Sequence, residues 1–396
     1  VRFKSWDWRQ TLEEIEARGL KRHKLTLESA QGVRVRVDGR TFLSFASNDY
    51  LSLANHFEIK AAAEDALKRF GVGSGASHMV LGHHAAHADL ESALATFTHR
   101  ERAITFSTGY MANLAMVASI ADSKTLILQD KLNHASLIDA AALSGARSQR
   151  YLHNNLQSLE KYLVKATENP EYEKVLVLSD GVFSMDGDVA KLCSLSELCQ
   201  RYNALLAVDD AHGFGVLGEH GGGVVEHFGL TSQQVPLLVG TFGKAFGTAG
   251  AFIAGNNEII EYIEQKARAY IYTTAMPPAI AAATQKSLFL IGRAHSERAH
   301  LQNLGRFFRE QATDLGFDVL PSVTAIQGVL IGESTAVMSL ANYLNMQGIL
   351  VGAIRPPTVA PGKARLRITL CADHSQVDVQ RLIDALARAK QEGVMQ

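Results

Sequence analysis

Two strand-type apolar runs, Leu205-Leu206-Ala207-Val208 and Leu237-Leu238-Val239, each stop abruptly at residues that carry chemistry. Runs this short and apolar read as strands buried on both faces, as in an α/β sheet flanked by helices. The first ends in Asp209-Asp210-Ala211-His212-Gly213, the second in Gly240-Thr241-Phe242-Gly243-Lys244-Ala245-Phe246-Gly247. Ligands of open α/β sheets lie beyond the carboxyl ends of the strands, so an Asp-x-x-His and a lysine can meet at one site. Lys244 reads two ways. Its stem packs and its head stays in water, or an apolar site strips its proton and makes it a nucleophile toward a carbonyl. A P-loop is excluded, because that pattern needs glycine where Leu238 stands and serine or threonine where Ala245 stands.

The trio suits pyridoxal phosphate. A lysine forms the Schiff base, and an aspartate keeps the ring nitrogen protonated so that the ring acts as an electron sink. A histidine three residues on from that aspartate is placed to hydrogen-bond the ring's phenolic oxygen. The rival is Gly213-Phe214-Gly215-Val216-Leu217-Gly218, a literal Gly-x-Gly-x-x-Gly after a strand, which would make the chain a nicotinamide-dependent oxidoreductase. That fingerprint needs a helix opening at its third glycine. Here Gly221-Gly222-Gly223 follow, each costing a helix roughly 1 kcal/mol relative to alanine.

The 396 residues suggest two to three domains, and 47% hydrophobic with 20% charged residues describes a globular enzyme. A formal net charge of −1 gives no basic field to draw nucleic acid or a membrane surface. Cys193, Cys199 and Cys371 are too few and too scattered for a disulfide framework, which favours a reducing cytoplasm. No apolar run reaches transmembrane length. The stretch 1–24 mixes acids and bases as neither a signal peptide nor a transit peptide does.

In chain order, residues 6–24 read as an amphipathic helix ending in Lys21, Arg22, His23 and Lys24. Val33-Arg34-Val35-Arg36-Val37 with Asp38-Gly39 reads as an exposed hairpin. These make an N-terminal arm, 1–55, ahead of a large domain, 56–291, and a smaller C-terminal α/β domain, 292–396. His78, His83, His84 and His87 invite a metal, but neither a cysteine nor an acidic cluster accompanies them and no metal is expected. That segment reads as a loop into a helix over 88–98. Strands are expected over 102–106, 125–129, 175–178, 249–254, 327–331, 350–353 and 364–370. Helices are expected over 111–121, 156–167, 192–202, 258–269, 279–290, 296–315, 338–346 and 377–392. Ser107-Thr108-Gly109-Tyr110 at a helix start is an anion site or an ordinary strand-to-helix turn.

Several motifs in order resemble the α-oxoamine synthase family of pyridoxal-phosphate enzymes, of the aminotransferase fold class. They are Ser47-Asn48-Asp49-Tyr50-Leu51, Asn133-His134-Ala135-Ser136, Gly181-Val182-Phe183-Ser184-Met185-Asp186-Gly187, the Asp209 and Lys244 segments, and Met276-Pro277-Pro278. The resemblance implies a large domain with a mainly parallel mixed sheet, and a homodimer with shared active sites. It implies Lys244, Asp209, His212 and His134 as catalytic residues, His134 stacking on the ring. It places the cofactor phosphate at Gly109 and Tyr110, adds Ser184 and Thr241, and brings Thr274 from the neighbouring subunit. Arg22, Asn48, Arg355, Thr358 and Arg367 are implied at the substrates, Arg367 as the fork for an amino-acid carboxylate. Ala353-Ile354-Arg355-Pro356-Pro357-Thr358-Val359 resembles the member that joins L-alanine to a pimeloyl thioester, carried on coenzyme A or a carrier protein. Siblings use glycine with an acetyl thioester, or serine with a long-chain one. Relatives generally carry glutamate at the position of Asp180, glycine or arginine at Ala76, Ser77 and His78, and often arginine at Gly222.

Overall fold

The computed structural model describes residues 6–18 and 20–395. The expectations that touch residues 1–5 and Gly19 lie in part outside the described residues.

Among the described residues the strands are β1 (Arg34–Val37), β2 (Arg40–Phe45), β3 (Arg102–Phe106), β4 (Thr125–Asp130), β5 (Arg147–Tyr151), β6 (Lys174–Asp180), β7 (Leu205–Asp209), β8 (Leu237–Thr241), β9 (Ala251–Gly255), β10 (Asp318–Val319), β11 (Ile326–Gly332), β12 (Ile349–Ile354) and β13 (Ala364–Thr369). Seven form one sheet in the order β3-β9-β8-β7-β6-β4-β5, in which β9 runs against the rest. Side chains of β6, β7 and β8 alternate between two apolar clusters. Val177, Leu206, Val208 and Leu238 enter one, while Leu176, Leu178, Ala207, Leu237 and Val239 enter the other. A period of two with both faces apolar is what a helix-covered sheet requires.

The second sheet has the order β1-β2-β12-β13-β11-β10. The hairpin turns at Asp38 (φ 48°) and Gly39 (φ 71°), the left-handed pair of a type I′ turn. It does not stand apart from the C-terminal strands, because β2 pairs in parallel with β12. Its strands are half-buried for that reason, Val35, Val37 and Phe42 forming a small cluster of their own. Helices His295–Asp314 and Ser334–Met346 pack with this sheet, and Gln376–Gln391, begun by a reciprocal cap between Ser375 and Asp378, packs on both of them.

Three expectations need correction. The N-terminal helix spans only Trp8–Ala17 and buries no side chain, so nothing holds it further, and Lys21–Lys24 lie in irregular chain beyond it. The helix expected over 88–98 begins earlier, as Ala85–Phe97, because His84 and His87 cap it. The one expected over 258–269 breaks at Ala267 into Asn257–Lys266 and Arg268–Ile271. Among the described residues no helix is long and apolar enough to cross a membrane.

Candidate active site

β3, β4, β6, β7 and β8 deliver their carboxyl ends to one cavity of about 350 Å³. Ser107, Thr108, Gly109 and Tyr110 follow β3, His134 and Ser136 follow β4, and Asp180 closes β6. Asp209 and His212 follow β7, Thr241 and Lys244 follow β8, and Asn48 and Ser184 complete the wall. The site therefore lies where an open α/β sheet puts it.

Lys244 is half-buried, its Nζ 3.4 Å from the Thr241 hydroxyl. Burial pushes its ammonium below the ordinary lysine range, against the pull of Asp209 and Asp180. The loop that carries it packs on the turn after Asn48. Gly247 sits at φ +63°, and a Cβ there would lie 2.2 Å from the Ala54 nitrogen, so only glycine fits. That turn is itself shaped by Asp49, whose carboxylate accepts the Leu53 N–H at 2.9 Å and the Ala54 N–H at 3.2 Å.

Asp209 is held by a residue the motifs did not reveal. The Asn113 amide donates to Asp209 Oδ2 at 2.6 Å and to the Ser136 hydroxyl at 2.8 Å. Asn113 lies one turn inside the Gly109–Ile120 helix, whose Thr108 cap accepts the Met111 N–H. Gly109 and Tyr110 stand at the start of this helix, where backbone N–H groups lack acceptors within it. His134 caps the Ala135–Leu143 helix, its Nδ1 2.8 Å from the Ser136 hydroxyl, and burial holds the ring toward its neutral form. Asp180 accepts the His134 backbone N–H at 3.1 Å, and burial beside Asp209 raises its carboxyl well above the usual range. The shorter carboxylate thus supports the loop bearing His134.

His212 is buried, with Nδ1 2.6 Å from the Tyr50 hydroxyl. Burial and the charges of Lys244 and Arg367 hold its imidazole toward the neutral form, in which one ring nitrogen donates and the other accepts, and Nδ1 is the nitrogen engaged with Tyr50. Tyr50 is the second residue the motif reading left without a role. Arg367 donates from Nε to the Ser184 carbonyl at 2.6 Å and from NH1 to Asn48 Oδ1 at 3.0 Å. It does not line the cavity; it reaches the wall through those two residues. Beside it Arg365 pairs with Asp186.

Other expected residues lie elsewhere. Arg22, Arg355 and Thr358 line a second cavity of about 610 Å³, between residues 20–25 and β12 with the helix Ser334–Met346. There Arg22 donates to the Thr358 hydroxyl at 3.4 Å and Arg355 to the Lys21 carbonyl at 3.3 Å. Thr274 is exposed and does not line the Lys244 cavity. His78, His83 and His87 bring ring nitrogens within 4.8 Å of one another. His87 nevertheless has both nitrogens engaged, Nδ1 accepting the His84 N–H and Nε2 meeting the Met276 carbonyl. The Gly213–Gly218 fingerprint opens no helix, and the next one is Gly223–His227. A Cβ on Gly213 would lie 2.2 Å from Asp210 Oδ1, so this glycine serves close packing around a buried carboxylate and the oxidoreductase reading falls.

The family model for aminotransferase class I and II matches residues 40–386. The fold is that of a pyridoxal-phosphate-dependent enzyme of this class, a transferase. An 8-amino-7-oxononanoate synthase from Pseudomonas aeruginosa is 54% identical over 97% of this chain and 95% of its own. One from Stutzerimonas stutzeri is 54% identical over 97% of this chain and 96% of its own. Serine palmitoyltransferase from Sphingomonas wittichii superposes with a TM-score of 0.92 at 31% identity, covering 98% of this chain and 97% of that one. 8-Amino-7-oxononanoate synthase from Francisella tularensis gives 0.78 at 30% identity, over 89% of this chain and 98% of its own. The chain belongs to the family of the 8-amino-7-oxononanoate synthases, within aminotransferase class I and II.

The residues fit the cofactor. A lysine with a lowered ammonium, a fixed carboxylate, a neutral imidazole and an open helix N-terminus surround one cavity of ligand size. Asn113 Oδ1 is buried there without a partner.

Proposed function

We propose that the chain joins L-alanine to a pimeloyl thioester, carried on coenzyme A or a carrier protein. The products are 8-amino-7-oxononanoate, CO2 and the free thiol, a step of biotin synthesis. The observation that carries this reading is the convergence of Lys244, Asp209, His212 and His134 in one cavity, in a chain 54% identical to enzymes of that name.

When bound, pyridoxal phosphate supplies a carbonyl that exchanges amines and a ring that accepts the electron pair left on Cα. Lys244 would hold it covalently, and its amine, once freed, would take the Cα proton, a role its lowered ammonium suits. Asp209, held by Asn113, would keep the ring nitrogen protonated, and His212, held by Tyr50, would hydrogen-bond the phenolic oxygen. His134 would stack on the ring, and Gly109, Tyr110 and Thr241 would take the phosphate, with Ser184 beside them. Arg367 and Asn48 orient the amino-acid carboxylate. A bond would form from Cα to the thioester carbonyl as the thiolate leaves and takes a proton from water, the carboxylate would depart as CO2, and Lys244 would return its proton to Cα. Arg22, Arg355 and Thr358 take the acyl donor at the second cavity.

The protein works as a homodimer. Thr274, outside its own chain's cavity, reaches the cofactor phosphate of the neighbouring subunit. Residues 292–396 form a small domain that closes over the large one, 56–291. Free cysteines at 193, 199 and 371 fit a reducing cytoplasm.

The test is thioester cleavage with L-alanine and pimeloyl-coenzyme A, beside glycine with acetyl-coenzyme A and serine with palmitoyl-coenzyme A. Turnover with the first pair alone supports the reading. A preference for either other pair moves the chain's substrates to those of a sibling enzyme.

A further inference from the structure

The segment from Tyr272 to Pro277, which carries Thr274, has no regular secondary structure apart from one bridge, between Thr274 and Ser77. It is held from residues 74–87, far away in sequence. The Met276 carbonyl receives the Ser74 hydroxyl at 2.5 Å and meets His87 Nε2 at 2.8 Å. The Ala275 N–H donates to the Ala76 carbonyl at 3.0 Å. His87 is wholly buried, and its Nδ1 accepts the His84 N–H at 2.9 Å at the start of the Ala85–Phe97 helix.

That second bond fixes the tautomer. With Nδ1 an acceptor, the proton is on Nε2 and is donated to Met276. One rigid ring therefore joins a helix start to the carbonyl two residues after Thr274. Burial holds this imidazole toward its neutral form, the form that accepts at one end and donates at the other.

We propose that His87 is a positioning residue for the cofactor site of the neighbouring subunit, acting through Met276 on Thr274. This rests on the reading above in which Thr274 crosses between subunits. Ser74 is its helper on the same carbonyl. The effect of His87 is thus exerted in trans, on a site to which its own chain lends Thr274.

Hybrid dimers test this. One chain carries Lys244→Ala, so the dimer has a single working lysine, on the other chain. His87→Asn is placed either on the Lys244→Ala chain or on the chain that keeps Lys244. Pyridoxal-phosphate affinity and turnover with L-alanine and pimeloyl-coenzyme A are then measured. His87→Asn on the Lys244→Ala chain is expected to weaken cofactor binding about ten-fold, the order of one buried hydrogen bond lost. On the chain that keeps Lys244 it leaves binding near that of the hybrid without it. A defect that follows the Lys244 chain, or is equal in both arrangements, overturns the proposal. His87→Gln, whose amide still donates to Met276, is expected to restore most of the affinity. If His87→Asn does not fold, Ser74→Ala in the same two arrangements gives the same readout. Thr274→Val is the control. A trans defect from Thr274→Val without one from His87→Asn overturns the role of His87 alone, whereas no trans defect from Thr274→Val overturns the shared-site reading and this proposal with it.

Discussion

The Tyr50 hydroxyl lies 2.6 Å from Nδ1 of His212, joining the turn after β2 to the turn after β7 across 162 residues of sequence. Both side chains are buried, and burial lifts the Tyr50 phenol to about 12, so it remains a donor at any working pH. With Nδ1 engaged by Tyr50, Nε2 is the nitrogen left to meet the cofactor in the proposed function.

Tyr50→Phe leaves Nδ1 of a buried imidazole without its hydrogen-bond partner, a loss of about 1–3 kcal/mol. Turnover is expected to fall roughly ten-fold or more, with a shifted absorption of the bound cofactor as His212 changes tautomer. Steady-state kinetics and a visible spectrum check this. An unchanged spectrum with full turnover contradicts the assignment.

Asn113→Leu removes the amide that donates to Asp209 and Ser136. Charge-assisted bonds of this kind contribute roughly 1.5–3 kcal/mol. Equilibrium titration should therefore show pyridoxal-phosphate affinity lowered by about ten-fold or more, with the fold intact by circular dichroism. Wild-type affinity would mean that Asp209 needs no such support.

Arg367→Lys keeps the charge and loses the planar fork that reaches both Ser184 and Asn48. The expected result is a KM for the amino acid raised about ten-fold, with cofactor affinity unchanged. If cofactor affinity falls and KM does not, Arg367 serves the domain contact and not the carboxylate.

His153 lies between two carboxylates, Nδ1 2.9 Å from Asp130 and Nε2 2.9 Å from Asp188. Burial opposes its charge, but the two carboxylates outweigh it and raise the imidazolium to about 9. A histidine raised in the folded state stabilises fully below its unfolded value, about 6.5, and loses that contribution as pH climbs through about 9. Urea unfolding from pH 6 to 10 should show wild type losing its advantage over His153→Gln across that window. Parallel curves would contradict the ion-pair role.

Much of the site was legible because its residues stand at the ends of apolar strands. Lys244, Asp209 and His212 needed only the two runs that precede them. Asn113 and Tyr50 were not legible in the same way. One is a lone amide on an otherwise apolar helix, the other part of a motif whose partner lies far along the chain, and only packing joins them to Asp209 and His212. The strand Arg147–Tyr151 gave no signal either, since Arg-Ser-Gln-Arg-Tyr at a sheet edge has no apolar run. The hairpin's turn was plain in Asp38-Gly39, but its place beside β12 depends on residues about 300 positions away, which local pattern does not report.

In the proposed function Lys244 is the covalent seat and proton carrier of an L-alanine and pimeloyl-thioester condensation. Mass-spectrometric detection of 8-amino-7-oxononanoate from wild type and from Lys244→Ala, each supplied with pyridoxal phosphate and both substrates, tests it most directly. Product is expected from wild type and at least ~1,000-fold less from the variant, because one group both holds the cofactor and moves the proton. Product at a comparable rate from Lys244→Ala, or none from cofactor-loaded wild type with either a coenzyme A or a carrier-protein donor, would contradict it.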